Sequence, residues 1–157
     1  MKSTEFVKYL VQIAKEENIP MNVTKLMKCM YICDGFLLAV GKNYIEENAR
    51  TWEFGPVYPK AYKAVTKSQD LSTVGAPSEE TVNFIKENHI DNLVKLILHK
   101  FGIMKAVDLS KWSHEEGSPW SITMNMNQGK LNCVINKTLI ASYFSYLINN
   151  AEGKNGN

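Results

Sequence analysis

The sequence predicts a mainly α fold: a compact, single-domain bundle of about six helices with a small extended element around residues 44–54 and a second short extended stretch at 131–135. Three observations predict it. Apolar residues recur at helical spacing through most of the chain. Capping residues stand at the starts of these runs. The helical pattern stops between Tyr44 and Tyr58, where apolar and polar residues alternate instead. The length of 157 residues suits one ordinary domain, read as 1–150, with 151–157 as a flexible polar tail.

Ser3 or Thr4 serves as N-cap of a first helix, with Glu5 in its first turn, and Phe6, Leu10, Ile13 and Ala14 share one face. Asn18 and Pro20 end it. A second helix starts near Asn22 or Thr24. Leu26, Met30, Cys33, Leu37 and Val40 form its apolar stripe, widened by Cys29, Ile32 and Phe36, which marks a central helix touched by several neighbours. Gly41 stands at the position after its C-cap. Arg50, Trp52 and Phe54 then alternate with Ala49, Thr51 and Glu53 as a short strand, and Gly55-Pro56 breaks it. Pro59 opens a third helix through Ala61, Tyr62, Ala64 and Val65. Residues 68–77 are a polar loop. Ser78, Glu79 and Glu80 open a fourth helix facing inward at Val82 and Ile85. Asp91 caps a fifth, with Leu93, Leu96, Ile97 and Phe101 inward and Gly102 at its end. A short helix covers Lys105 to Ser113 and stops at Glu115 to Pro119. Gly129-Lys130 is a turn, Leu131 to Ile135 a brief strand, and Asn136 caps a last helix through Ile140, Tyr143, Phe144 and Leu147.

Composition narrows the function. Charged residues make up 22% and hydrophobic residues 45%, as in a globular protein. No apolar stretch approaches the ~18–20 residues that span a bilayer, and no continuous apolar run follows Met1, so a cytoplasmic location with reduced cysteines is expected. Eighteen basic residues stand against 16 acidic ones, a net charge of +2, and Arg50 is the only arginine. That balance is poor for binding driven by release of counterions from many phosphates. Lysine and asparagine are abundant, as in an AT-rich genome.

Catalytic and metal motifs are weak. Cys29 and Cys33 share a helix face inside the apolar stripe and read as core, since zinc takes about four ligands and no histidine matches their spacing. His114 lacks a nucleophile motif and the second histidine of a zincin helix. No phosphate-binding glycine loop occurs. Lys25 and Lys28 read as the exposed side of the second helix. Lys60, Lys63 and Lys67 form a stripe that is either a solvated face or a match for an acidic partner. The densest signal is the stiff aromatic run Thr51-Trp52-Glu53-Phe54-Gly55-Pro56-Val57-Tyr58-Pro59-Lys60-Ala61-Tyr62. Alternation puts Trp52 and Phe54 on one face, expected to plug the core, and leaves Tyr58 free to meet a partner.

That run resembles the signature of the Panacea domain of SocA-like antitoxins and phage-associated proteins. Trp52, Gly55, Pro56, Val57, Pro59 and Tyr62 match the family pattern; Thr51 replaces an alanine and Phe54 a tyrosine. Two further blocks are similar to the family in register. One is Lys25-Leu26-Met27-Lys28-Cys29-Met30-Tyr31 with Gly35-Phe36, where Met27 replaces a glutamine and Phe36 a tryptophan. The other is Leu109, Ser110, His114, Glu116, Pro119 and Trp120, with Ser113 for a threonine. The blocks spread over residues 22–147. The resemblance implies a mostly helical Panacea-like domain. It implies a module that binds and neutralises a cognate protein toxin, commonly encoded by the adjacent gene, with no catalytic residues, no cofactor and no metal. Tyr58, Lys60, Lys63, His114 and Glu116 are the residues expected to meet that partner. No specific nucleic acid and no membrane is expected, and no homo-oligomer is assigned. Two other classes remain: a phage-encoded nucleic-acid-binding regulator, recognisable by a salt-dependent affinity, and a small hydrolase built on His114, recognisable by a pH–rate profile.

Overall fold

The second helix, α2 (Val23–Ala39), is the axis of the molecule. Every residue from Leu26 through Gly35 is buried, because elements pack around the helix on all sides. In this computed structural model, which describes residues 1–155 and side chains through residue 151, the other helices are α1 (Ser3–Glu16), α3 (Pro59–Thr66), α4 (Glu79–Glu87), α5 (Ile90–Phe101), α6 (Ala106–Ser113), α7 (Pro119–Met126) and α8 (Lys137–Asn155). The fold is mainly α, with one small antiparallel sheet of β1 (Arg50–Trp52) and β2 (Gly55–Val57).

The helix boundaries follow local chemistry. Met1 is pinned through its ammonium group to Tyr44 O at 2.8 Å, and α1 starts at Ser3, before the expected cap, with Lys2 at the N-cap position and no side-chain bond there. Asn18 takes the left-handed conformation (φ 55°), and Ile19 N donates to Ala14 O, which closes α1 with a Schellman turn. Asn22 accepts from Lys25 N at 2.9 Å to open α2, and Gly41 (φ 78°) closes it as expected. Val40, expected in the apolar stripe, is exposed because it is the C-cap. Leu26, Met30, Cys33 and Leu37 are buried as the stripe predicts. Helix α8 crosses α2 at Gly35, where the Phe144 ring lies so close that a Cβ would fall inside it.

Five expectations need correction. Gly55-Pro56 does not break the strand but forms the return strand, with Glu53-Phe54 as the turn. Proline is tolerated because Pro56 faces Thr51, whose backbone N–H and carbonyl bond outward to Cys133 and Asn132. Leu131 to Ile135 runs beside β1 but makes a single bridge, Arg50 to Val134, since Asn132 turns left-handed (φ 60°). Ser118-Pro119 does not end a helix; it starts α7, with Ser118 Oγ accepting from Ser121 N and proline at the first position. His89, not Asp91, precedes α5, and the buried face runs through Ile90, Val94, Ile97 and Leu98, which leaves Leu96 exposed. Finally, α8 continues through Asn155 into the stretch read as a tail; residues 156–157 lie outside the described residues.

Candidate functional site: a gripped hairpin and its aromatic groove

The β1–β2 turn exposes backbone carbonyls that no strand can satisfy, and side chains from α6 and α7 capture three in succession. Trp120 Nε1 donates to Trp52 O at 2.8 Å, His114 Nε2 lies 2.7 Å from Glu53 O, and Ser110 Oγ donates to Phe54 O at 2.8 Å. From below, Lys28 Nζ on α2 donates to Pro56 O at 3.3 Å. Gly55 fits this grip for two reasons. Its φ of +114° suits glycine, and a Cβ there would collide with Ser113 Oγ and come within 2.6 Å of Lys28 Cε. The His114 ring packs tilted against Trp120, with ring centres 3.9 Å apart, and its Nδ1 lies 2.5 Å from Ser110 O, so both ring nitrogens face backbone carbonyls. Ser118 Oγ donates to Ser113 O, which ties the start of α7 to the end of α6.

The grip faces inward and leaves an aromatic surface outside. Phe54 at the tip is 63% exposed. Trp52 is half-buried and meets Tyr62 of α3 edge-on at 5.0 Å; its Nε1 donates to Asn132 Oδ1. Between the hairpin, α3 and the first turns of α2 lies a groove of about 340 Å³, lined by Thr24, Met27, Trp52, Phe54, Val57 and Tyr62. Lys60 and Lys63 stand exposed on α3 and Lys67 at its C-cap, and among the described residues none of the three forms an ion pair.

Two buried ionisable groups lie under the hairpin and beside it. Lys28, read from the sequence as exposed, is 1% exposed because β2 covers that side of α2. Burial lowers its ammonium group to about 8. Asp34 is fully buried, and its Oδ2 accepts from the Tyr58 hydroxyl at 2.7 Å while Oδ1 has no partner. Burial raises Asp34 to about 6, against the opposing pull of the Tyr58 bond and Lys137. Burial also pushes the Cys29 thiol to about 12, so it is a core thiol and not a ready thiolate.

The five residues expected to meet a partner do not come together. Tyr58 is in the core at 0% exposure, because the chain turns from β2 into α3 there and directs the ring under the hairpin toward α2. Lys60 and Lys63 are exposed on α3. His114 is half-buried with both nitrogens engaged. Glu116 is exposed in the α6–α7 connection, beside a different groove of about 470 Å³ that also touches Pro119 and Tyr146. Sequence reasoning missed Phe54 as a surface residue. The signal was available: two residues between short strands form a hairpin tip, and tip side chains point to solvent.

A mainly helical domain that clamps a short tryptophan- and proline-bearing hairpin between three of its helices is the class of protein defined here. The family model described as "Antitoxin SocA-like, Panacea domain" matches residues 26–121, and the chain belongs to that family. That span runs from Leu26 in the first turn of α2 through the hairpin and α6, and ends in the first turn of α7. The chain is also similar to Antitoxin SocA of Caulobacter vibrioides (strain NA1000 / CB15N), at 25% identity over 125 residues. The alignment covers 74% of this chain and 66% of that relative, so the chain spans just under two thirds of the relative's length. No solved structure matches the chain. Among the described residues no helix is long and apolar enough to cross a membrane.

Proposed function

We propose that this protein is an antitoxin that neutralises a partner protein toxin by binding it directly, with the gripped hairpin as the contact. The observation that carries the reading is the hold on the tip. Three consecutive carbonyls are captured from α6 and α7, and the same turn projects Phe54 to solvent at 63% exposure. A fixed backbone loses little conformational freedom on binding, so an aromatic anchor mounted on it converts most of its buried area into affinity. The relative named as an antitoxin and the family membership support the antitoxin half of the reading. Binding without turnover is the mode expected, since the groove offers aromatic walls and no activated nucleophile.

The test is genetic and biochemical together. Each gene flanking the coding sequence is expressed alone and with this protein in a bacterial host. One flanking product should arrest growth, co-expression should restore it, and the two proteins should co-purify as a stable complex. Rescue without a complex, or no flanking product that arrests growth, refutes the proposal.

A further inference from the structure

We infer that the groove between α7 and α8 docks a basic segment of the partner protein, one that seats a large apolar side chain in the groove and sets lysine or arginine against Glu115 and Glu116. The inference rests on the antitoxin reading and adds to the hairpin a second, separate contact with a chemistry of its own. Shape supplies the first half of the argument. The groove holds about 470 Å³, within the ~300–1,000 Å³ of ligand pockets. Ile122 of α7 and Leu139, Tyr143 and Tyr146 of α8 make its walls. The last three recur at helical spacing, so they line one side of α8. Tyr146 is 62% exposed, which leaves an aromatic face uncovered at the edge of an apolar cleft.

Charge supplies the second half. Among the described residues that line this groove, Glu115 and Glu116 carry the charge, and no lysine, arginine or histidine stands with them. Both are exposed. Among the described residues neither forms an ion pair, and Glu115 makes none with Lys111, one turn before it. Glu115 bears on the groove wall itself: burial raises the Tyr143 hydroxyl above its ordinary value, and the negative charge of Glu115 raises it further. The rim is also held in place. It belongs to the α6–α7 connection, whose flanking residues His114 and Trp120 grip the hairpin carbonyls. Within the connection Ser118 N donates to Glu115 O at 3.0 Å, and Ser118 Oγ donates to Ser113 O at 2.9 Å. A partner docking there has little backbone to order. The complement of apolar walls with a fixed acidic rim is an apolar side chain beside a cation. Lysine and arginine suit both parts, since their methylene stems lie along apolar surface while their heads reach a carboxylate. Nucleic acid fits poorly, because the same two carboxylates repel phosphate.

The test uses the full chain and two probes. The first is a labelled synthetic peptide with a Leu-Phe pair flanked by Lys and Arg, beside versions with the cations changed to Gln or the pair changed to Ser. The basic apolar peptide should bind at millimolar concentration or below, and the backbone NMR shifts it causes should fall in the α6–α7 connection and α8. The Gln peptide, or the double variant Glu115→Gln/Glu116→Gln, should weaken binding about tenfold, as loss of two exposed charge pairs does. Tyr146→Ala should weaken it about thirtyfold, the loss expected for an aromatic anchor. Leu96→Ser, exposed on α5, should change nothing. The second probe is the growth-arresting flanking product: Tyr146→Ala and the charge reversal Glu115→Lys/Glu116→Lys, with unchanged thermal melts, should lose neutralisation. No peptide binding at millimolar concentration, equal binding of all the peptides, or shifts confined to the hairpin overturns the inference. Self-association of the protein that Glu115→Gln/Glu116→Gln abolishes also overturns it, since the groove then belongs to a second copy. If wild type and variants neutralise a flanking product equally, the inference falls and the antitoxin reading stands. If the peptide binds in the groove but no flanking product arrests growth, the antitoxin reading falls and the groove assignment stands.

Discussion

Tyr58→Phe removes a single oxygen from the middle of the protein, and its effect depends on pH in a way the geometry fixes. The hydroxyl donates to Asp34 Oδ2 at 2.7 Å, both residues are fully buried, and Asp34 Oδ1 has no other partner. The variant therefore leaves the carboxyl without any hydrogen bond. Burial holds Asp34 up at about 6, above its ordinary 3.8. Near pH 8 the group is a carboxylate, and a hydrogen bond to a charged acceptor is worth ~1.5–3 kcal/mol. Near pH 5 it is mostly protonated, and the bond is a neutral one worth ~0.5–1.5 kcal/mol. Tyr58→Phe should thus destabilise more at the higher pH, by about 1 kcal/mol. The wild-type protein has its own slope. The folded state holds the Asp34 proton more tightly than the unfolded chain. That contribution is fully present below the unfolded value and is lost as pH rises through about 6. The rise from 3.8 to about 6 corresponds to about 3 kcal/mol across that window. Because the Tyr58 bond pulls Asp34 downward, the variant should extend the window to higher pH. Urea unfolding of wild type and variant at both pH values, followed by tryptophan fluorescence, measures all of this. An equal loss at both pH values, or no loss, refutes the assignment of Tyr58 to the core pair.

Three further outcomes follow from the packing and the charges. Gly35→Ala should lower the free energy of urea unfolding by the ~1–3 kcal/mol of an overpacked core, because its Cβ overlaps the Phe144 ring; Phe144→Leu in the same chain should recover part of the loss. Lys28→Met should leave stability at neutral pH unchanged or higher by ~1–4 kcal/mol, as replacement of a buried charge by a shape match often does. Since burial lowers Lys28 to about 8, wild-type stability should gain from this group as pH climbs from there toward its ordinary 10.5, and the Met variant should lose that gain; a slope shared by both proteins refutes it. Finally, with one arginine and a net charge of +2, the protein should bind duplex DNA only at ~10⁻⁴–10⁻⁶ M in physiological salt, and nanomolar sequence-dependent binding in an anisotropy titration would refute this.

The helices were legible where the sequence carried both a period and a cap. Asn22 and Ser78 cap α2 and α4, Gly41 closes α2, and the stripe through Leu26 and Leu37 is buried. Helix α7 was not, because Ser-Pro can end one helix or begin another, and only tertiary room decides. The site was harder. Period-two alternation assigns faces within a strand, but Phe54 lies in the turn, beyond the last residue to which that rule applies. Lys28 misled for a different reason. A lysine at helical spacing from Lys25 reads as solvent-facing, and it is buried because β2, far along the chain, returns to cover it. Tyr58 follows the same logic, since nothing local announces that Asp34 waits opposite it.

The family's sequence signature and the proposed contact surface divide along the hairpin. Trp120, His114 and Ser110 reach the turn's carbonyls with polar atoms that point inward, while Gly55 and Pro56 shape the backbone they hold. These residues specify how the hairpin is held and say nothing of what it touches. The departures from the pattern fall in two places. Thr51, where the pattern has alanine, is buried and accepts from Cys133 N at 3.0 Å, so it adds a tie between the hairpin and the segment before α8. Phe54, where the pattern has tyrosine, stands in solvent and puts an apolar ring without a hydroxyl at the tip, beside the exposed Glu53. A rigid frame with a changeable tip can keep its fold while its partner changes. On the proposed reading the partner contact is centred on Phe54 and the groove beside it. Restoring tyrosine at position 54 would then alter binding of the partner while leaving the melt unchanged.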